Sequence, residues 1–435
     1  MPNHVRYDIF GLTFLQVRGV LKRMKAFFKV KTVPEVLEII ESFDPLDTET
    51  VDLVAARDRV LRQNVEAGEN IPAFNRSAMD GYAVRAKDTF GASEAIPALF
   101  SVIGEVRMGQ SPDFTVMPGQ TAKVWTGGMM PPGSDAVVMV EYARQVDETF
   151  VELARPVAPH EHVILAGEDV AQGDVTIPAG RRLRPQDLGL LAALGVAEVT
   201  VNRIPRVAII STGDEVIPID RTPTSGQVRD VNTYTLGAMI EAGHGQAIRQ
   251  GLVKDDRDGL RAAVAKGLGS ADVVILSGGS SVGVRDFTLD VIQSFDGVEV
   301  LFHGVSVSPG KPTLMARRGR QSLWGLPGHV TSAMVICDLF LRPLLARLCG
   351  ETEQPAPWRN TVSATLSRSV PSPHGREDYV RVRLESNGQG PPLAHPILGK
   401  SGLVSTMVKA DGLLKIGINE EGRPKGSVVE VLLFD

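Results

Sequence analysis

A disulfide framework is the first thing this chain lacks the material for. Only two cysteines occur in 435 residues, and both, Cys337 and Cys349, lie in or beside an apolar helical pattern. That placement describes buried, inert thiols rather than a disulfide or metal site. Histidine is scarce too, at eight residues, and none shows metal-ligand spacing; His160 and His162 stand as an isolated pair in a loop. Charge of one sign is also missing. The chain carries 46 basic and 51 acidic residues, a net charge of −5, which argues against nucleic acid as the main partner. No apolar run approaches the length of a bilayer span. The stretch from Ile9 to Leu21 is interrupted by Gln16 and Arg18, so it reads as neither a membrane segment nor a signal peptide. No Ser-His-Asp order and no cysteine nucleophile is apparent, so covalent catalysis is not expected. What remains is a soluble cytoplasmic protein, long enough to require several domains.

Glycine, by contrast, is plentiful at 44 residues, and two Gly-rich turns stand out. Leu276-Ser277-Gly278-Gly279-Ser280-Ser281-Val282-Gly283-Val284-Arg285-Asp286 follows Asp272-Val273-Val274-Ile275-Leu276, a β-branched run typical of a buried parallel strand. Adjacent glycines after such a strand permit a sharp turn and bring backbone N–H groups close to an anion. Alone, they also fit a plain strand-to-helix connection. The second turn, Val307-Ser308-Pro309-Gly310-Lys311-Pro312, holds a lysine between glycine and proline. That is a positioned cation, better suited to a phosphate or oxyanion than to packing.

The pattern changes several times along the chain. Residues 1–24 match nothing later, contain a second methionine, Met24, and form a leader of unassigned status. Within 25–70, Thr32-Val33-Pro34-Glu35 reads as a capping box with proline in the first turn. Val36, Leu37 and Ile40 then give a helix one apolar face, and a second helical stretch is expected from about Thr48 to Leu61. Residues 71–158 switch to short apolar runs broken by Gly and Pro, such as Ala136-Val137-Val138-Met139-Val140, the pattern of a small β-rich module. Residues 159–204 hold a Gly-punctuated stretch and a short helix from Pro185 to Leu194.

From 205 to 352 strands alternate with helices. Strands are expected at Val207–Ile210, Ala247–Val253, the run before Gly278, Val298–Phe302 and Ser322–Trp324. Helices are expected at Tyr234–Ala242, Leu260–Leu268, Phe287–Phe295 and His329–Leu348. Such alternation indicates an open, mostly parallel sheet wrapped on both faces, with ligands at the carboxyl ends of the strands. Both glycine turns fall there. After Pro355-Ala356-Pro357 the chain is β-like again, so 353–435 is a last small domain.

Five segments place acids or hydroxyls beside glycine. The most specific is Pro72-Ala73-Phe74-Asn75-Arg76-Ser77-Ala78-Met79-Asp80-Gly81-Tyr82-Ala83-Val84, although Asp before Gly also suits an ordinary Asx turn. Thr126-Gly127-Gly128 offers a hydroxyl and backbone N–H groups. Gly167-Glu168-Asp169 and Ser211-Thr212-Gly213-Asp214-Glu215 add carboxylates. Asp286 closes the first glycine turn at a helix start, where it either caps the helix or faces a ligand. Several carboxylates near a phosphate turn suggest Mg²⁺, which prefers oxygen ligands and bridges carboxylate to phosphate.

In their order along the chain, these segments closely resemble the molybdopterin molybdenumtransferase family, which includes MoeA and the E domain of gephyrin. Ser77-Ala78-Met79-Asp80-Gly81-Tyr82-Ala83, Thr126-Gly127, Gly167-Glu168-Asp169 and Ser211-Thr212-Gly213-Asp214-Glu215 carry the match. Ser277-Gly278-Gly279, Pro309-Gly310-Lys311-Pro312 and Gly325-Leu326-Pro327-Gly328 complete it. The resemblance covers roughly residues 30–435. It implies an elongated α/β multidomain fold: a three-layer αβα molybdopterin-binding domain, III (205–352), with β-rich accessory domains. The accessory domains are II (71–158), I (159–204 with part of 25–70) and IV (353–435), the other part of 25–70 belonging to III. It also implies a homodimer with a shared active site, in which adenylylated molybdopterin is cleaved with Mg²⁺ and molybdate or tungstate is inserted.

By the same resemblance, Asp286, Asp80, Asp169, Glu215 and Thr126 are the catalytic positions, with Asp286 and Glu215 toward the metal. Ser277, Gly278, Gly279, Ser281, Gly310, Lys311, Pro312 and Pro327 match the substrate-binding positions. Ser332, Arg381 and Ser401 match the molybdate positions, where a guanidinium with hydroxyls suits a tetrahedral oxyanion. The chain departs from the family pattern at Ser280, where valine is usual, and at Ser308, where a basic residue is usual. His329-Val330-Thr331-Ser332 replaces Asn-Pro-Val-Ser, and Leu398-Gly399-Lys400-Ser401-Gly402 also deviates. Two other functions share the αβ domain: a molybdopterin adenylyltransferase, and a diverged paralogue that binds molybdopterin without catalysis.

Overall fold

The computed structural model describes residues 30–278, 287–352, 360–388 and 390–434. The leader 1–24 and four site candidates or departures, Gly279, Ser280, Ser281 and Asp286, lie outside the described residues. The described chain forms two compact units, one of Thr50–Arg57 with Leu61–Val201 and the other of the remainder.

The larger unit opens with α1 (Val33–Glu41), which starts on the expected capping box. Thr32 N–H donates to Glu35 Oε2 at 2.8 Å and Thr32 Oγ1 donates to it at 2.9 Å. The αβ region then runs β1 (Arg206–Thr212), α2 (Asn232–Ala242), β2 (Gln246–Val253), α3 (Arg257–Leu268), β3 (Val273–Ser277) and α4 (Phe287–Gln293). It continues through β4 (Val298–His303), β5 (Leu314–Arg318), β6 (Gln321–Leu326), α5 (Val330–Ile336) and α6 (Arg342–Leu348). The sheet order is β2-β1-β3-β6-β5-β4. Neighbours pair in parallel from β2 to β6, and β5 runs against both of its neighbours. This β5 is absent from the sequence reading; it is the short first arm of a hairpin that turns at Gly319, where φ is +57°.

Period-two alternation builds the two cores on either face of the sheet. Val207, Ile209, Val273, Ile275 and Trp324 meet Val36 and Ile40 of α1, Leu236 and Ile240 of α2, and Ile336 and Leu344 beyond them. Ala208, Ile210, Val274, Leu276 and Leu323 meet Leu260 and Val264 of α3 and Val291 and Ile292 of α4. The three-layer αβα architecture follows directly. The expected helix His329–Leu348 forms as α5, a π-helical turn at Cys337–Leu341, and α6. Both cysteines are buried, and burial pushes the Cys337 thiol up.

The C-terminal strands close on themselves. Glu377–Glu385 pairs with both Leu393–Pro396 and Gly412–Ile416, and the ring is completed through Thr361–Leu366 and Val428–Leu433. This small barrel is filled by Leu366, Val382, Leu414 and Val431 among others. The two-residue strand Val307–Ser308 pairs in parallel with Glu377 and Asp378. The second glycine turn is thereby held against the barrel wall.

The smaller unit contains a six-stranded sheet. Its order is Ala136–Met139, Gly81–Val84, Gln120–Val124, Ala98–Val106, Phe150–Leu153 and Ala143–Gln145. A short helix, Pro185–Ala193, packs Leu191 with Leu183, Ile177 and Val201. The helix expected from Thr48 to Leu61 does not form. Thr48–Asp52 is a strand, Leu53–Ala56 is one 3₁₀ turn, and Leu53 N–H donates to Ala197 O at 2.9 Å. Thr48, Thr50 and Val51 are β-branched, and tertiary pairing overrides the helical spacing. No helix among the described residues is long and apolar enough to cross a membrane.

Candidate functional site

At the carboxyl ends of β1, β3 and β6 lies a cleft of about 620 Å³. Its walls include Glu215, Ser277, Gly278, Pro312 and Pro327, five of the positions expected from sequence, together with Asp230, Asn232 and Asp255. Gly278, the first glycine after β3, works here by close approach. Gly278 has φ of +118°, and a Cβ there would sit 2.2 Å from Thr212 O, which backbone cannot relieve. Its N–H, expected to face an anion, donates instead to Leu326 O at 3.2 Å. Asn232 ties the turns together: its Nδ2 donates to Ser277 Oγ at 2.7 Å and to Gly328 O at 2.8 Å.

The acids of this cleft are anchored by hydroxyls from the end of β1. Ser211 Oγ donates to Asp230 Oδ1 at 3.0 Å, and Thr212 Oγ1 donates to Asp255 Oδ1 at 2.5 Å. Asp230 also accepts from Thr233 N–H at 3.1 Å, at the start of α2. Glu215 is exposed at the rim. No group of three or more His, Cys, Asp or Glu with metal-holding geometry occurs among the described residues. Sequence reasoning missed Asp230, Asn232 and Asp255. Asp255 and Asp230 each follow a short strand run, but neither has glycine beside it to mark a turn.

Beside this cleft is a second, of about 440 Å³, between the αβ layer and the barrel. It gathers Gly310, Lys311, Ser332, Arg381 and Ser401, and shares Pro312, Pro327 and His329 with the first. Gly310 has φ of +127°, and a Cβ there would come within 2.6 Å of Ile336. Arg381 is 8% exposed; its Nη1 donates to Thr406 Oγ1 at 2.9 Å and its Nη2 to Gly399 O at 2.8 Å. Burial pulls its guanidinium below the ordinary arginine value. Among the described residues no carboxylate pairs with Arg381 or with Lys311, whereas Asp378 in the same wall is taken by Arg376 at 2.9 Å. Two uncompensated cations among hydroxyls make a receptor for an anion. His329 Nδ1 lies 2.8 Å from Ser401 Oγ.

Asp80, Thr126 and Asp169 belong to the smaller unit. There, Asp80 Oδ1 accepts from Thr126 N–H at 2.8 Å and from its hydroxyl at 2.7 Å. Those bonds, the backbone one foremost, hold the Asp80 carboxyl below the ordinary carboxylate range. Three distant motifs are knitted into one exposed patch. Gly127 N–H donates to Ser77 O at 2.7 Å, Ala166 N–H to Asn75 Oδ1 at 2.8 Å, and Gly167 N–H to Pro72 O at 3.0 Å. Asp169 sits at the end of that last turn, exposed.

Residues 31–195 match the family model described as the MoeA N-terminal region (domain I and II). Residues 208–347 match a probable molybdopterin binding domain, and 363–434 match the MoeA C-terminal region (domain IV). The chain is 34% identical over 394 residues to the molybdopterin molybdenumtransferase of Bacillus subtilis, covering 89% of this chain and 90% of that one. It is 37% identical over 307 residues to the enzyme of the same name from Nostoc, covering 70% of each. A crystal structure of a molybdopterin biosynthesis MoeA protein from Pyrococcus horikoshii superposes with a TM-score of 0.79 at 30% identity. That match covers 93% of this chain and all of the other.

Proposed function

This chain belongs to the MoeA family, and we propose that it is a molybdenumtransferase of molybdenum cofactor biosynthesis. Its substrates on this reading are adenylylated molybdopterin and molybdate or tungstate, and it releases AMP with the help of Mg²⁺. One observation carries the reading. An acid-lined cleft and a cation-and-hydroxyl-lined cleft adjoin, sharing Pro312, Pro327 and His329. A phosphoanhydride with a bound cation suits the first, and a tetrahedral oxyanion delivered to the pterin suits the second.

The residues divide accordingly. Gly278, Ser277 and Asn232 set the floor on which the pterin and its phosphate lie. Lys311 offers its ammonium to the phosphate that is cleaved from AMP. Ser332, Ser401 and Arg381 hold the oxyanion by charge-assisted hydrogen bonds. Glu215, with Asp286, would hold Mg²⁺, which supplies charge neutralisation at the scissile phosphate. Asp80, Thr126 and Asp169 complete the site from a second copy of the chain, so that the working form is a homodimer. The fourfold division into 71–158, 159–204, 205–352 and 353–435 follows the same proposal, as does assigning Gly279 and Ser281 to the substrate.

The test is direct. Purified protein is incubated with adenylylated molybdopterin, Mg²⁺ and either molybdate or tungstate, and AMP and active cofactor are measured. AMP release that requires Mg²⁺ and yields cofactor is expected, and Asp286→Asn should leave a folded protein with most of that release gone. No AMP above a protein-free control, or normal turnover by Asp286→Asn, overturns the corresponding assignment.

A further inference from the structure

Among the described residues, His329 is the one titratable side chain that borders both clefts, and its ring nitrogen Nδ1 lies 2.8 Å from Ser401 Oγ. The contact is reinforced by backbone, since Thr331 N–H donates to Ser401 O at 3.2 Å. The start of α5 and the loop 399–402 are therefore held in register at the mouth of the oxyanion cleft. A serine hydroxyl has one proton, and an imidazole nitrogen either gives or takes one. If Ser401 gives its proton to Nδ1, only oxygen lone pairs face the cleft, which repels an anion. If Nδ1–H donates to Ser401 Oγ, the hydroxyl proton is free to point at the anion.

Lys311 and Arg381, neither paired with a carboxylate among the described residues, make the cleft favour an anion. An anion there selects the second arrangement. We propose that His329 is a positioning residue for the oxyanion: its Nδ1–H orients the Ser401 hydroxyl toward molybdate or tungstate. This deepens the function proposed above and rests on its placement of the oxyanion. His329 itself need not touch the ligand, so its whole effect must pass through Ser401.

That dependence makes the proposal testable with the full chain and sodium tungstate or molybdate alone, by isothermal titration calorimetry. Folding of each variant is checked by its melting temperature. His329→Leu should weaken oxyanion binding about tenfold, the scale of one charge-assisted hydrogen bond. His329→Asn, whose Nδ2 is a donor near the same place, should bind within about twofold of the unsubstituted chain. Ser401→Ala should also lose about tenfold, and His329→Leu added to it should cost nothing more, because the two act as one unit. In turnover, His329→Leu should raise KM for the oxyanion with little change in kcat. Unchanged binding by His329→Leu, or losses that multiply in the double variant, overturns the inference, provided Arg381→Ala abolishes binding. Absence of binding by the unsubstituted chain overturns the placement of the oxyanion in this cleft and the inference with it.

Discussion

At the scale of single residues, the site is a matter of which charges have partners. Lys311 is exposed and unpaired among the described residues, on a turn whose conformation is set by Gly310 and by strand pairing at Val307 and Ser308. Lys311→Ala should therefore weaken binding of adenylylated molybdopterin by about 1.5–3 kcal/mol, roughly ten- to 150-fold in Kd. Its melting temperature should stay close to that of the unsubstituted chain. Calorimetry showing unchanged affinity together with a large drop in melting temperature would make Lys311 structural. Lys311 was legible in sequence because glycine and proline flank it. Asn232 was not, because its importance lies in reaching Ser277 and Gly328, 45 and 96 positions away.

Elements depend on local rules that two residues illustrate. Glu35 closes the capping box of α1, and its carboxyl is held down at about 2, from an ordinary 4.5, by Lys31 and then Thr32. A depressed folded value means that the contribution is complete above the unfolded value and lost as pH falls through the folded one. The stability supplied by Glu35 should thus disappear between about pH 4.5 and about pH 2. Glu35→Gln should flatten the acid limb of a urea-midpoint profile in that window; an identical slope in both proteins would remove the carboxylate from the account. The second residue is Gly278, where β3 leaves the sheet. An alanine Cβ would lie 2.2 Å from Thr212 O at φ of +118°, so Gly278→Ala should cost more than about 2 kcal/mol in urea unfolding. Loss of less than about 0.5 kcal/mol would show that the turn relaxes freely.

For the whole molecule the open matter is how many chains make one site. Asp80 and Thr126 are joined to each other in the smaller unit, and the homodimer proposed above places them at the partner's cleft. Asp80→Ala and Asp286→Ala should each be inactive alone. In a purified mixed dimer, one pocket would carry both substitutions and the other neither, so AMP release should return to about half the wild-type rate per dimer. Differently tagged, co-expressed variants allow that dimer to be isolated. A confirmed mixed dimer with no more activity than either parent would place both acids in one chain's site.

Sequence alone determined whatever depends on neighbours within a few turns of chain. The capping box of α1, the alternation of strands and helices through the αβ region, and the glycine at the end of β3 were all legible. Each is written by short-range sterics, periodicity or capping. Tertiary structure decided the rest. Pairing with Glu198–Asn202, over β-branched residues, made Thr48–Asp52 a strand where the spacing read as helix, and a hairpin inserted β5 as the reversed strand of the sheet. The Gly278 N–H went to Leu326 rather than to a ligand. Asp230 and Asp255 reached the cleft because β1 lies next to β2 and β3. The pairing of His329 with Ser401 likewise comes from the meeting of the barrel and the αβ layer, which share a core through Tyr379, Leu413 and Leu432 and pair strands at Val307 and Ser308. Convergence of residues far apart in sequence is set by sheet order and register, which no local pattern encodes.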